Sequence, residues 1–273
     1  MIKTLLKLLL RRSYYKGQYR LFNFFYTNGF LTGNEAIVSP LQGDFRIKCN
    51  PKTWIGAQIT YLGEYEDYIK DTFKKHVSVG DTVLDIGANI GFHTLFFSTL
   101  VGNKGKVVAF EPVINNFNQL VENIQLNGFD NVLPINIALG NKNETLYINT
   151  AATNNNPGAY SLLDLGETKI ECRVGDELSE FGSQQKIDFI KIDVEGYELF
   201  ALQGLIKTIQ LYKPKIVFEY DKNYQLKAGV DPNAIFDLLT SLDYSFHEVK
   251  RHAVVSITLP VQLVSADILA LPI

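Results

Sequence analysis

Cysteine is nearly missing: Cys49 and Cys172 stand far apart, outside any Cys-x-x-Cys or Cys/His spacing, so a disulfide framework and a structural zinc site are both excluded. Both read as buried thiols. Long apolar runs are missing too. The leucine cluster Leu5-Leu6-Lys7-Leu8-Leu9-Leu10 falls well short of the ~20 residues of a membrane span, and no small-residue cleavage site follows it. A basic surplus is also lacking, since the net charge of -3 gives no general drive toward nucleic acid. No internal repeat is visible. The default is a cytoplasmic globular chain, and 46% hydrophobic residues in 273 supply the core of one large domain with an appendage.

Acids are missing in one place only. Lys3, Lys7, Arg11, Arg12, Lys16 and Arg20 all precede the first acid, Glu35, and with the leucines they form a basic arm. The arm reads as packing against the fold, with peripheral contact to a membrane surface as the alternative. Residues 14–43 are aromatic without a clean period, so helix and loop are expected. Residues 44–59 suggest a small hairpin turning at Asn50-Pro51-Lys52-Thr53, which makes 1–60 an N-terminal extension. Tyr65, Tyr68, Ile69, Thr72 and Phe73 predict a helix over 63–75.

The remainder, 61–273, is organised around Val83-Leu84-Asp85-Ile86-Gly87-Ala88-Asn89-Ile90-Gly91. A buried strand there empties into a glycine turn and a helix N-terminus, the form of a nucleotide-binding loop. Gly87 is expected to allow the tight turn, and Gly91 to let the next helix pack close to the sheet. Strands at 105–112, 132–137, 187–193 and 215–220 alternate with helices at 92–100, 117–127, 199–209 and 235–242. That rhythm predicts a mostly parallel sheet with helices on both faces. Late segments at 244–249 and 254–259 complete a seven-stranded sheet. The rhythm breaks over 141–186, where strand pieces at 143–149 and 169–174 flank a polar loop, and 154–161 is expected to form a lid.

Several strands end on an acid or amide: Asp85, Glu111, Asn136, Asp193 and Glu219. In an open parallel sheet that edge is where ligands bind. Glu111 lies 20 residues beyond Gly91, the distance at which an acid holds ribose hydroxyls. NAD enzymes and S-adenosylmethionine enzymes share that distance. Asn89 in place of a middle glycine, with Asp85 ahead of the loop, favours S-adenosylmethionine, because a methionine amino group needs an acceptor where a pyrophosphate needs bare amides. An NAD-linked oxidoreductase is the first competing reading, weakened by Asn89 and by the missing catalytic Tyr/Lys spacing. A non-catalytic fold relative that uses the arm for a membrane or partner is the second.

Five blocks carry a resemblance: Gly63-Glu64-Tyr65-Glu66, Asp85 to Gly91, Ala109-Phe110-Glu111-Pro112, Asn136-Ile137-Ala138-Leu139-Gly140, and Ile187 through Asp193-Val194-Glu195-Gly196. Across them the chain resembles the FkbM-type methyltransferases. The resemblance implies an α/β, Rossmann-like class I methyltransferase fold. It also implies S-adenosyl-L-methionine as cofactor and a hydroxyl acceptor on a sugar, glycan or natural product. It puts Asp85, Gly87, Asn89 and Gly91, with Ala88 beside them, at the methionine end. Glu111 and Pro112 fall at the ribose, Asn136 and Ala138 at the adenine, and Asp193 between cofactor and acceptor. His93 stands where an aromatic is common in such sequences. Because an alcohol is a poor nucleophile, a base within reach is expected: Asp193, Glu195 or Glu219, with His93 and His247 behind them. No metal is expected.

Overall fold

A computed structural model describes residues 2–150, 160–179, 186–258 and 263–273. In chain order the elements are α1 (Ile2–Leu10), α2 (Gln18–Thr27), β1 (Ala36–Val38), β2 (Ile47–Cys49), α3 (Trp54–Tyr61), α4 (Lys70–His76), β3 (Thr82–Ile86), α5 (Phe92–Val101), β4 (Lys106–Phe110), α6 (Ile114–Asn127), β5 (Val132–Ile135), β6 (Ala138–Gly140), β7 (Glu144–Ile148) and β8 (Thr168–Val174). They continue with β9 (Phe189–Ile192), α7 (Glu198–Gln203), α8 (Ile206–Tyr212), β10 (Lys215–Asp221), α9 (Lys222–Lys227), α10 (Ala234–Ser241), β11 (Tyr244–Lys250), β12 (Ala253–Ser256) and β13 (Ser265–Pro272).

The central sheet runs β12-β11-β13-β10-β9-β3-β4-β5, with β10, β9, β3, β4 and β5 parallel. The fold is therefore mixed α/β on a mostly parallel sheet, with eight strands among the described residues where seven were expected. The strand not foreseen is β13, which inserts antiparallel between β10 and β11. Its run Ile268-Leu269-Ala270-Leu271 is apolar throughout, so the alternation that marks a half-buried strand is absent.

Period-two geometry sorts the strand residues onto two faces. Leu84, Ile86, Phe110, Ile190, Ile192 and Phe218 join one core with α7 and α10. Val83, Val107, Ala109, Phe189, Val217 and Leu269 join the other with α4, α5 and α6. The second set continues in polar residues at the carboxyl ends of the strands. Asp85 is paired in register with Lys191, and Glu219 with Asp267. The parity that buries an apolar stripe thus also lines up charged side chains on one face.

Four local expectations change. The 44–59 hairpin does not form: β2 pairs with β1, and 54–61 is a helix. Asn50-Pro51-Lys52-Thr53 is a helix start, in which the Thr53 hydroxyl accepts the Gly56 N–H at 3.1 Å. The helix expected over 63–75 begins only at Lys70, because Glu66 sits at φ +48 and breaks a right-handed helix. The single helix after Asp193 is divided at Gly204, where a Cβ would stand 2.1 Å from the Gly140 carbonyl oxygen. The strand expected over 132–137 ends at Ile135, and 138–140 forms β6, which pairs with β8 of the 141–186 insertion in a small sheet that β7 completes. Of the expected lid, 154–159 lie outside the described residues.

Candidate active site

The loop after β3 is held by two N–H groups, those of Gly87 and Ala88, which both donate to the Phe110 carbonyl. Gly87 has φ +83, and a Cβ there would come within 1.9 Å of the Asp193 carbonyl oxygen. Glycine is therefore required where the ends of β3 and β9 meet. Gly91 is also at positive φ, but its close neighbour is Leu120 Cδ1 of α6, 2.7 Å from an added Cβ, so it admits α6 and not the sheet. Asn89, in the left-handed region, donates its backbone N–H to Glu111 Oε2 at 2.8 Å, and the Val113 N–H donates to Oε1 at 2.9 Å.

These residues open a cleft of about 830 Å³, counting its mouth. Gly87, Ala88, Asn89, Glu111, Pro112, Ala138, His93, Asp193 and Glu195 all line it, as expected from the motifs. Asp85, Gly91 and Asn136 do not. Asp85 is fully buried beneath α5, where its Oδ2 accepts the Thr94 hydroxyl at 2.6 Å and Lys191 Nζ stands 3.7 Å from Oδ1. It faces the same side of the sheet as Lys191, its register partner, but its shorter side chain is covered by Thr94 of α5. The Asn136 amide donates to the Glu111 and Pro112 carbonyls and pins the turn after β4. Glu219 borders a neighbouring surface hollow with Tyr68 and Asp267.

Asp193, Glu195 and Glu219 converge, with one oxygen from each within 4.8 Å of the others. Their charges are unequal. Burial by itself would raise the Asp193 pKa, but the ammonium of Lys191, donating to Oδ2 at 3.2 Å, brings it below its ordinary value. Burial and the charges of Asp193 and Glu195 push Glu219 up to about 10, so it carries a proton at neutral pH and shares it with Asp193. Burial and the Asp193 charge push Glu195 up to about 7, opposed by a hydrogen bond with Tyr224. Glu195 is at φ +52, and its carbonyl accepts the Ser161 hydroxyl at 2.8 Å, so its backbone is fixed from the insertion side.

His93 has a different part. It is buried against Tyr65, Phe73 and Phe92, and that burial takes its pKa down to about 3. It is neutral at pH 7, so its 3.0 Å contact from Nε2 to Glu66 is a hydrogen bond and not an ion pair. So weak a base is a wall of the site. His247 lies on β11 outside the cleft.

The motifs give no site role to four participants, two of which, Tyr65 and Glu66, stand in the first of the five blocks. Lys191 is the counter-ion of the cluster, held between Asp193, Asp85 and the Gly87 carbonyl. Burial alone would lower its pKa, but the surrounding carboxylates raise it well above the ordinary lysine range. Glu66 and Asp267 complete the acidic face, each pushed up to about 7, first by burial. Tyr65 lines the cleft. The signal for Lys191 was its spacing, two residues before Asp193 on a buried strand, which puts both on one face. Asp267 had none, because β13 itself was not foreseen.

The cleft fits a nucleoside cofactor bearing a positive charge. Each Glu111 oxygen accepts only one backbone N–H, which leaves lone pairs for a ribose diol. Ile137, Ala138, Leu162 and Tyr160 offer an apolar slot for a base, and the acids opposite suit a cation. Fold and cleft together define a nucleoside-dependent transferase. Residues 85–246, well over half of the chain, match the model of the methyltransferase FkbM domain. The chain is 32% identical over 210 residues to the hexuronic acid methyltransferase AglP of Haloferax volcanii, an alignment covering 77% of this chain and 81% of that protein. It belongs to the FkbM methyltransferase family and is an S-adenosylmethionine-dependent methyltransferase. Among solved structures it is similar to an FkbM methyltransferase of Methylobacillus flagellatus, with TM-score 0.44 and 16% identity over 78% of this chain; it spans about half, 52%, of that longer chain. It is also similar to a Streptococcus mutans methyltransferase in complex with SAH, with TM-score 0.46 and 10% identity over 77% of this chain and all of the other.

Proposed function

We propose that this chain methylates a hydroxyl group of a sugar or glycan and that Glu195 is the base. The observation that carries the reading is the convergence of three carboxylates, of which Asp193 and Glu195 line the cleft and Glu219 stands behind them. S-adenosylmethionine, when bound, supplies an electrophilic methyl on sulfur. Glu111 is placed to hold the ribose, and the Gly87–Gly91 turn to border the methionine end. An acceptor hydroxyl hydrogen-bonded to Glu195 gives its proton to that carboxylate as the carbon–oxygen bond forms and the carbon–sulfur bond breaks. Asp193 stays ionised beside Lys191 and favours the positive charge of the ground-state cofactor. Glu219, protonated, gives its one O–H to Asp193 and steadies that carboxylate. Positioning and water exclusion supply much of the remaining acceleration.

The curated relative is a hexuronic acid methyltransferase, and a hexuronic acid offers two kinds of acceptor oxygen, carboxylate and hydroxyl. The charges here favour the hydroxyl. A carboxylate acceptor needs no base and would meet the ionised Asp193 beside Glu195, while Lys191 is already committed to Asp85 and Asp193. Radiolabelled methyl transfer onto paired acceptors, an alkyl glucoside and an alkyl glucuronide, separates the readings. The expected product is an ether stable to mild alkali on either acceptor. An alkali-labile methyl ester formed only on the glucuronide would overturn it. Activity is expected to survive chelation of divalent cations, and its loss with recovery on adding magnesium would assign the three carboxylates to a metal.

A further inference from the structure

The N-terminal arm has no part in the cleft, yet it is built in an unusual way. Helix α1 uses Leu6 and Leu10, one turn apart, to pack on Phe22, Ala57 and Tyr61. Both leucines are buried, at 5% and 0% exposure. Leu5, Leu8 and Leu9 form an adjacent stripe at the same i, i+3, i+4 spacing, and they are 66%, 68% and 40% exposed. The apolar arc of the helix is therefore about twice as wide as packing uses. Large exposed apolar side chains gather here: six of the eighteen among the described residues fall within the first 30 positions, Phe24 and Phe30 included. Such grouping marks an interaction surface.

The charge around the stripe selects the partner. No acid occurs before Glu35, and no ion pair among the described residues involves Lys7, Arg12, Lys16 or Arg20. A second copy of the chain would bring the same cations face to face in a two-fold contact and be repelled. A nucleic acid would satisfy the cations and leave the leucines in water. We infer that α1 and the segment following it dock on an anionic lipid surface, with Leu5, Leu8 and Leu9 among the acyl chains and the cations at the headgroups.

The arm also adjoins the acceptor side. Tyr14 and Tyr19 close on Arg251, which pairs with Asp67 at 2.6 Å. Tyr68, on the same hollow, hydrogen-bonds Asp267, the register partner of Glu219. The arm is thus joined through Arg251 and Tyr68 to the acidic face, an arrangement that suits an acceptor presented at a membrane.

Co-sedimentation of the full chain with vesicles tests this, using phosphatidylcholine alone and phosphatidylcholine mixed with phosphatidylglycerol. The chain is expected to bind the mixed vesicles only, and less at high salt. Leu5→Gln, Leu8→Gln and Leu9→Gln together should weaken binding by about tenfold or more. Calorimetry with S-adenosylmethionine should give the parent's affinity for that variant, which shows that the fold is kept. The inference is overturned if the parent ignores mixed vesicles or if the triple variant binds them equally well. It is also overturned if the same substitutions abolish a concentration-dependent dimer, or retention on duplex DNA, in a chain that binds no vesicles.

Discussion

Two lysines are buried among the described residues, and they behave in opposite ways. Lys70 is fully buried and Lys191 nearly so. Lys70 donates to Glu64 at 2.6 Å and to the Gln42 carbonyl at 2.8 Å, under the rings of Phe92 and Phe96 at 4.5 and 4.4 Å. Burial lowers its pKa, and the single carboxylate only partly offsets that. Around Lys191 stand Asp85, Glu66 and Asp193, whose combined charge outweighs burial. Burial disfavours the charge at both sites, so the number of facing carboxylates decides the sign. Lys70 with its aromatic cage pins 42–64 to the domain; Lys191 sets the ionisation of the acids around it.

The largest effect is expected at Lys191. Lys191→Met keeps much of the volume but leaves Asp193 and Asp85 without a cation, so Asp193 takes up a proton. With that charge gone the cofactor cation is held less well, so kcat/KM for S-adenosylmethionine should fall by about 10²-fold or more. Asp193→Asn in the same background should add little, since the two act as a unit. Initial-rate methyl transfer measures both, and a single variant within tenfold of the parent would remove Lys191 from the mechanism.

Lys70→Met should do the reverse. A buried Glu64 without its partner costs about 3–5 kcal/mol of stability, read from urea unfolding, while turnover per folded molecule holds. Adding Glu64→Gln should restore most of the loss. If the single variant instead kept its stability and lost turnover, the division between the two lysines would be wrong.

Glu195→Gln comes next. With Glu195 at about 7, the base is unavailable below that pH, so the parent's kcat/KM should rise as pH passes through about 7. The variant should lose about 10²-fold in kcat and show no rise there, with S-adenosylmethionine affinity intact by calorimetry. A retained rise would move the base elsewhere on the acidic face.

The two lysines also show how far the residues alone could be read. Lys191 sits on a strand whose parity is visible in Phe189-Ile190-Lys191-Ile192-Asp193, and the loop, Glu111 and the acid-ending strands followed from spacing and period. Lys70 carries no such mark, because its cage comes from Phe92 and Phe96 on α5 and Glu64 on a turn. Pairing across distance is likewise hidden. The partner of β2 is β1 and not the following segment, and β13 reaches the sheet only after β11 and β12 have turned back. Asp85 shows the same limit: it shares a strand face with Lys191 and Asp193, and nothing in its own strand signals that Thr94 of α5 covers it.

The smallest effect tests whether proton sharing in the cluster is real. Glu219 holds its proton up to about 10 in the folded chain, against an ordinary glutamate value of ~4.5 in the unfolded one. Between those limits the folded state binds more protons than the unfolded state, so this contribution is fully present below ~4.5 and fades as pH rises toward 10. Glu219→Gln fixes the neutral form, so its Tm should fall less steeply than the parent's from about pH 7 to 9. Since Glu219 is only partly buried, the gap should be about 1–2 kcal/mol, or a few degrees. Saturating S-adenosylmethionine should narrow the gap by placing a cation among the acids. Parallel Tm curves for parent and variant would mean that Glu219 is ionised throughout, leaving Lys191 as the sole neutralising group of a fully charged cluster.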